Sequence, residues 1–190
     1  MAIRIAEIRW DRLDTEGEDS CALFREPQGW RLAGRARFIE DGRHHGLVYS
    51  AQCDGAWNAL AAHVTGTVDD EKADAVIEKQ KDGSWHINGV AGDNTTDCPD
   101  IDLAFTPSTN LLAIRRMHLK IGEEGQSHAA YLNVPGWTLD RLEQSYRRLN
   151  DTHYAYHSPR GGYHETLDVS EVGFVLSYPH LWRGKLLRTI

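Results

Sequence analysis

The 190-residue sequence is short of several things, and each shortage excludes a class of protein. Its longest apolar runs, such as "LLAI" and "VGFVL", fall far below the roughly 20 residues of a membrane-crossing helix. The opening "MAIRIAEIRW" places Arg4 and Glu7 where a secretory leader would be apolar. Cysteine is scarce: Cys21, Cys53 and Cys98 are odd in number, widely spaced and free of any C-x-x-C. That excludes a disulfide framework and fits reduced thiols in a cytoplasmic protein. Basic residues are also in deficit, at 21 Lys and Arg against 28 Asp and Glu, a net charge of -7. Nucleic acid and anionic membranes need clustered cations, so neither is an expected partner. The acidic middle, from Asp69 to Asp102, reads as a solvated face.

Catalytic and metal signatures are missing too. There is no G-x-S-x-G, "SPRGG" has no P-loop Lys-Ser/Thr, and none of the ten histidines lies in H-E-x-x-H. His153 and His157 would stand about 13 Å apart on an extended strand, too far to share an ion. No metal or cofactor is expected.

What is present is a period of two. "CALFREP", "WRLAGRARF" and "HGLVYSAQC" alternate apolar with polar, as half-buried strands do. Asp82-Gly83 marks a hairpin, and Glu-Pro-Gln-Gly, Pro135-Gly136 and Ser-Pro-Arg-Gly-Gly mark further turns. One segment has a helical period: Leu139, Leu142, Tyr146 and Leu149 predict a short amphipathic helix over about 138–149. Without repeats or long linkers, residues 1–190 form one mainly β domain, a rolled or barrel-like antiparallel sheet able to enclose a ligand.

The stretch "DIDLAFTPSTNLLAIRRMHL", Asp100 to Leu119, carries the densest chemistry. Read as two strands joined by a turn at 107–110, it sets Asp102 opposite Arg115 and Ile101 opposite Arg116. Arg115 then completes an ion pair, and Arg116 falls on an apolar face without a partner. Asp100 and Asp102, about 7 Å apart along a strand, also have a spacing at which carboxylates serve glycoside hydrolysis. Pairing with arginine would lower their pKa and work against that role.

The run "CPDIDLAFTPSTNLLAIRRMHL", then "AAYLNVPGWTLDRLEQSYRRL" and a closing "GFVLSYPHLW", resembles a bacterial family of uncharacterised proteins labelled putative glycolipid-binding. D-x-D, T-P-x-T-N, I-R-R, Q-x-Y-x-R-L and Y-P carry the likeness across residues 98–182. Ala113 departs from it, standing where the family tends to have proline. The resemblance implies a rolled antiparallel β-structure and marks positions including Thr106, Pro107, Thr109, Gln144, Tyr146 and Pro179. The candidate ligand contacts are Asp100, Asp102, Asn110, Arg115, Arg116 and Tyr178, with no catalytic residue among them. The expected ligand is a glycolipid or other amphiphile, its tail along Leu103, Phe105, Leu112 and Ile114 and its head near Arg115 or Arg116. The alternatives are a hydrolase or isomerase acting through Asp100 or Asp102, and an interaction protein forming a homodimer through its sheet edges.

Overall fold

The computed structural model describes residues 1–134 and 136–189. Eight strands come first: β1 (Ile3–Arg12), β2 (Gly17–Glu26), β3 (Gly29–Glu40), β4 (Arg43–Cys53), β5 (Ala59–Val68), β6 (Glu71–Lys79), β7 (Trp85–Ile87) and β8 (Val90–Ala91). The short β9 (Asp100–Asp102) leads into a 3-10 turn (Pro107–Thr109) continuous with helix α1 (Asn110–Met117). Six more strands follow: β10 (Glu124–Asn133), β11 (Thr138–Arg148), β12 (His153–Ser158), β13 (Tyr163–Val169), β14 (Val175–Tyr178) and β15 (Trp182–Thr189).

All fifteen strands form one sheet. Its order runs from β8 down to β1, crosses to β15, then descends to β9. Neighbours pair antiparallel except β9, which runs parallel to β10. Alternation sets the inner face: in β4, His45, Leu47, Tyr49, Ala51 and Cys53 are buried, and in β6, Ala73, Ala75 and Ile77. The sheet rolls without closing, since its terminal strands β8 and β9 do not pair with each other. The two ends nonetheless meet. Asp93, just past β8, bridges Asp140 on β11, and the Ala59 N–H donates to the Pro99 carbonyl at 2.8 Å. Large aromatics fill the interior, with their polar atoms satisfied. Trp10 donates from Nε1 to the Val175 carbonyl at 2.6 Å, and Trp85 to the Cys98 carbonyl at 3.0 Å.

The rolled, mainly antiparallel reading and the presence of one short helix hold. The helix, however, lies elsewhere. Residues 138–148 are strand β11, paired with β10 along its length. Its inner face is Leu142, Gln144 and Tyr146, a period of two disguised by a buried glutamine. Leu149, needed for the helical period, is 42% exposed. The hairpin expected over 101–121 is instead β9, the 3-10 turn and α1. Thr106 is the N-cap, accepting from the Ser108 N–H at 3.1 Å, and Pro107 begins the turn without needing a donor. Residues Leu111 to Ile114 are buried, and so are Ser108, Thr109 and Asn110. The helix therefore plugs the roll rather than lying across it. Arg115 and Arg116 close its last turn, where cations complement the dipole. The turn expected at Pro135 lies outside the described residues.

Candidate functional site

Two polar clusters reach the buried turn before α1. One is closed. Asp19 on β2 is 1% exposed and accepts from the Tyr49 hydroxyl at 2.9 and 3.1 Å and from the Thr106 hydroxyl at 2.5 Å. Burial raises its carboxyl to about 7, against the lowering effect of those hydroxyls. Tyr49 reaches Asp19 only because residue 34 is glycine: a Cβ there would sit 2.3 Å from the tyrosine hydroxyl oxygen.

The other cluster faces a cavity of ≈ 250 Å³ inside the second half of the roll. Asp102, Thr106 and Asn110 approach from the β9–α1 segment, and Tyr131 from β10. Tyr156 and Ser158 come from β12, and Tyr163, Tyr178 and Trp182 from the following strands. Arg160 stands at the rim, its guanidinium 4.4 Å over the Tyr131 ring, donating to Asp140 at 3.1 Å and Asn133 at 3.2 Å. Tyr178 meets Tyr156 at 71° and Tyr163 at 84°, with ring centroids 5.6 and 5.5 Å apart.

Asp102 is the acid of this cavity. It accepts from the Ala104 N–H at 2.9 Å and from Gln144 Nε2 at 3.0 Å, and Gln144 also donates to the Tyr156 hydroxyl at 2.9 Å. Burial raises the Asp102 carboxyl to about 6, outweighing those hydrogen bonds and the more distant pull of Arg160. Burial likewise pushes Tyr156 to about 12 and Tyr178 further up, so both keep their protons as donors.

The six candidate residues divide. Asp102, Asn110 and Tyr178 line the cavity. Asp100 and Arg116 pair with each other: Nε to Oδ1 at 3.0 Å and Nη2 to Oδ2 at 2.6 Å, with the Ser127 hydroxyl on the same carboxylate. Arg115 is exposed, 5.2 Å over the Trp57 ring, beside a separate hollow of ≈ 410 Å³ shared with His118 and Arg148. The expected roles of the arginines are thus reversed, because α1 turns the two side chains in different directions. Arg116 has the aspartate, and it is Asp100 rather than Asp102. The apolar track proposed for a tail is packed core, with Leu103, Phe105, Leu112 and Ile114 at most 5% exposed.

Arg160, Tyr131, Tyr156 and Tyr163 were not singled out from sequence. One signal was available. In "HYAYHSPRGGYH" the alternation puts Tyr154, Tyr156 and Ser158 on one face, just before a turn that carries Arg160.

A wider concavity, ≈ 810 Å³, is an open groove over Arg9, Glu18, Arg37, His44 and Asp69. Its charges are mixed in sign and partly paired, as Arg9 with Glu18 at 2.7 Å, so it does not concentrate one chemistry. Among the described residues no group of three or more His, Cys, Asp or Glu is placed to hold a metal ion, and no helix is long and apolar enough to cross a membrane. The three cysteines are free and buried, and burial pushes Cys53 up to about 12.

Fold and site together define a class: a β-roll plugged by a helix, with a small tyrosine-walled cavity beside the plug. The chain belongs to the family described as "Putative glycolipid-binding", whose model matches residues 7–184. It is also similar to a DUF1089 family protein from Pseudomonas aeruginosa, known from a crystal structure. The two are 27% identical over 87% of this chain and 91% of that one, with a TM-score of 0.75. No curated protein matches significantly.

Proposed function

We propose that the cavity binds the polar headgroup of an amphiphile such as a glycolipid and leaves the apolar part outside. The observation that carries this reading is the cavity itself. Aromatic faces suit the apolar faces of a sugar ring, and Asp102, Asn110, Ser158 and Arg160 supply acceptors and donors for hydroxyls. Volume decides against the tail. At ≈ 250 Å³ the space equals about eight waters and falls below the ~300 Å³ at which sites for larger ligands begin. The family description supports the ligand class. Three buried free thiols support a reducing, cytoplasmic setting.

Native mass spectrometry with a short-chain glycolipid tests the reading. The wild type should give a one-to-one adduct. Leu181→Trp, which adds bulk at a half-buried lining position, should lose it. An adduct equally abundant in the variant would contradict the assignment.

One observation favours a second reading, a hydrolase or isomerase. Asp102 faces a cavity with its pKa raised to about 6, the range of a general acid or base. Asp100 is not its partner, being held by Arg116 and Ser127. Turnover of a headgroup conjugate by the wild type and not by Asp102→Asn would support this reading, and binding without turnover in the wild type would refute it.

A further inference from the structure

We propose that the headgroup taken by the tyrosine cavity carries an ammonium group, as an amino sugar or a quaternary amine does, in preference to a neutral or anionic head. The inference rests on the binding reading above and narrows its ligand class.

The first ground is the arrangement of rings. Tyr178 stands near perpendicular to both Tyr156 and Tyr163, and Trp182 adds a further wall. The rings pack edge-to-face on one another at 5.5–5.6 Å and together wall the cavity with aromatic carbon from several strands, a lining suited to an organic cation. The second ground is an unmatched charge. Asp100 and Asp102 lie on the same face of one short strand. Asp100 has a guanidinium on both oxygens, whereas Asp102 has only the neutral donors Ala104 N–H and Gln144 Nε2. The nearest cation, Arg160, gives its hydrogen bonds to Asp140 and Asn133 and its face to Tyr131. With Arg160 offset by Asp140, the cavity is left with the single negative charge of Asp102. A carboxylate kept in such a place without a counter-ion costs stability, and a bound ammonium would supply the missing partner. An anionic head would share the sign of Asp102 and be repelled by it. A pKa of about 6 leaves Asp102 mostly ionised at neutral pH.

Calorimetric titration of the full chain at neutral pH, with glucosamine, glucose, choline and glucose 6-phosphate as probes, tests the proposal. Glucosamine or choline should bind at least about tenfold more tightly than glucose, and the phosphate should bind most weakly. Which of the two amines binds more tightly then assigns the source, a sugar amine or a quaternary head. In Asp102→Asn the preference for the amines over glucose should fall to within about twofold. Tyr163→Leu, at a half-buried wall position, should weaken choline several-fold and leave the fold intact. Binding of both glucosamine and choline no tighter than that of glucose to the wild type overturns the inference and leaves the headgroup reading standing. Binding of any probe that Leu181→Trp does not reduce overturns the headgroup reading as well.

Discussion

Asp19 is the group whose titration the fold should feel most. It lies 1% exposed between Tyr49 and Thr106, and burial lifts its carboxyl from 3.8 to about 7. Below 3.8 both folded and unfolded chains hold this proton, so no penalty applies. As pH rises the unfolded chain releases it first, and the folded chain follows only above about 7, so stability falls across that window. Each unit within the window costs about 1.4 kcal/mol. From about pH 5 to about pH 8 the group should therefore remove roughly 2–3 kcal/mol. Asp19→Asn keeps an acceptor for the two hydroxyls and has no charge to bury. The variant loses stability at low pH, where the neutral acid fits well, and recovers relative to wild type as pH rises. The stability difference between the two should shift by about 2–3 kcal/mol in the variant's favour, or about 5–10 °C in Tm for a chain of this size. Urea denaturation of both proteins at the two pH values reads this directly, because the other titrating groups cancel in the difference. Parallel pH profiles would refute the reasoning.

Three further outcomes follow from named contacts. Arg116→Met strands the Asp100 carboxylate, 2% exposed, and should cost about 3–5 kcal/mol in denaturation; adding Asp100→Asn should recover part of it, and no recovery would mean that the pair is not the cause. Gly34→Ala drives a methyl into the Tyr49 ring and should cost about 1–3 kcal/mol, together with the Asp19 pH dependence; a stable variant with that dependence intact would contradict the packing. Arg115→Ala removes only an exposed stack on Trp57, so it should change stability by less than about 1 kcal/mol, alter tryptophan fluorescence and leave cavity binding as in wild type.

The strands were legible because alternation is a direct consequence of a sheet with one buried face. β4 and β6 keep to it residue by residue. The helix was not, and the directions of Arg115 and Arg116 depend on it. A helix that plugs a roll is buried almost all round, so it shows no polar stripe. "NLLAIRRM" accordingly looked like a strand with charges at its end. The boundary signal was nonetheless written there: Thr106-Pro107 is a helix start, and two arginines are a helix finish. In β11 the opposite happened. Gln144 is buried between the Asp102 carboxylate and the Tyr156 hydroxyl, which hid the period of two, while Leu139, Leu142, Tyr146 and Leu149 fell by chance at helical spacing. Asp102, Asn110 and Tyr178 could be marked because they lie in recognisable motifs. Tyr156, Arg160 and Tyr163 are neighbours in sequence around the turn after β12, but they meet Asp102 and Tyr131 of β10 only once the sheet rolls.

The most direct measurement is chemical-shift mapping of a short-chain glycolipid on the labelled protein. Shifts concentrated at Asp102, Tyr131, Tyr156, Tyr163, Tyr178 and the Trp182 indole are the predicted result. Shifts centred instead on Arg37, His44 and Asp69 in the open groove, or on Arg115 and His118 at the end of α1, would contradict the account.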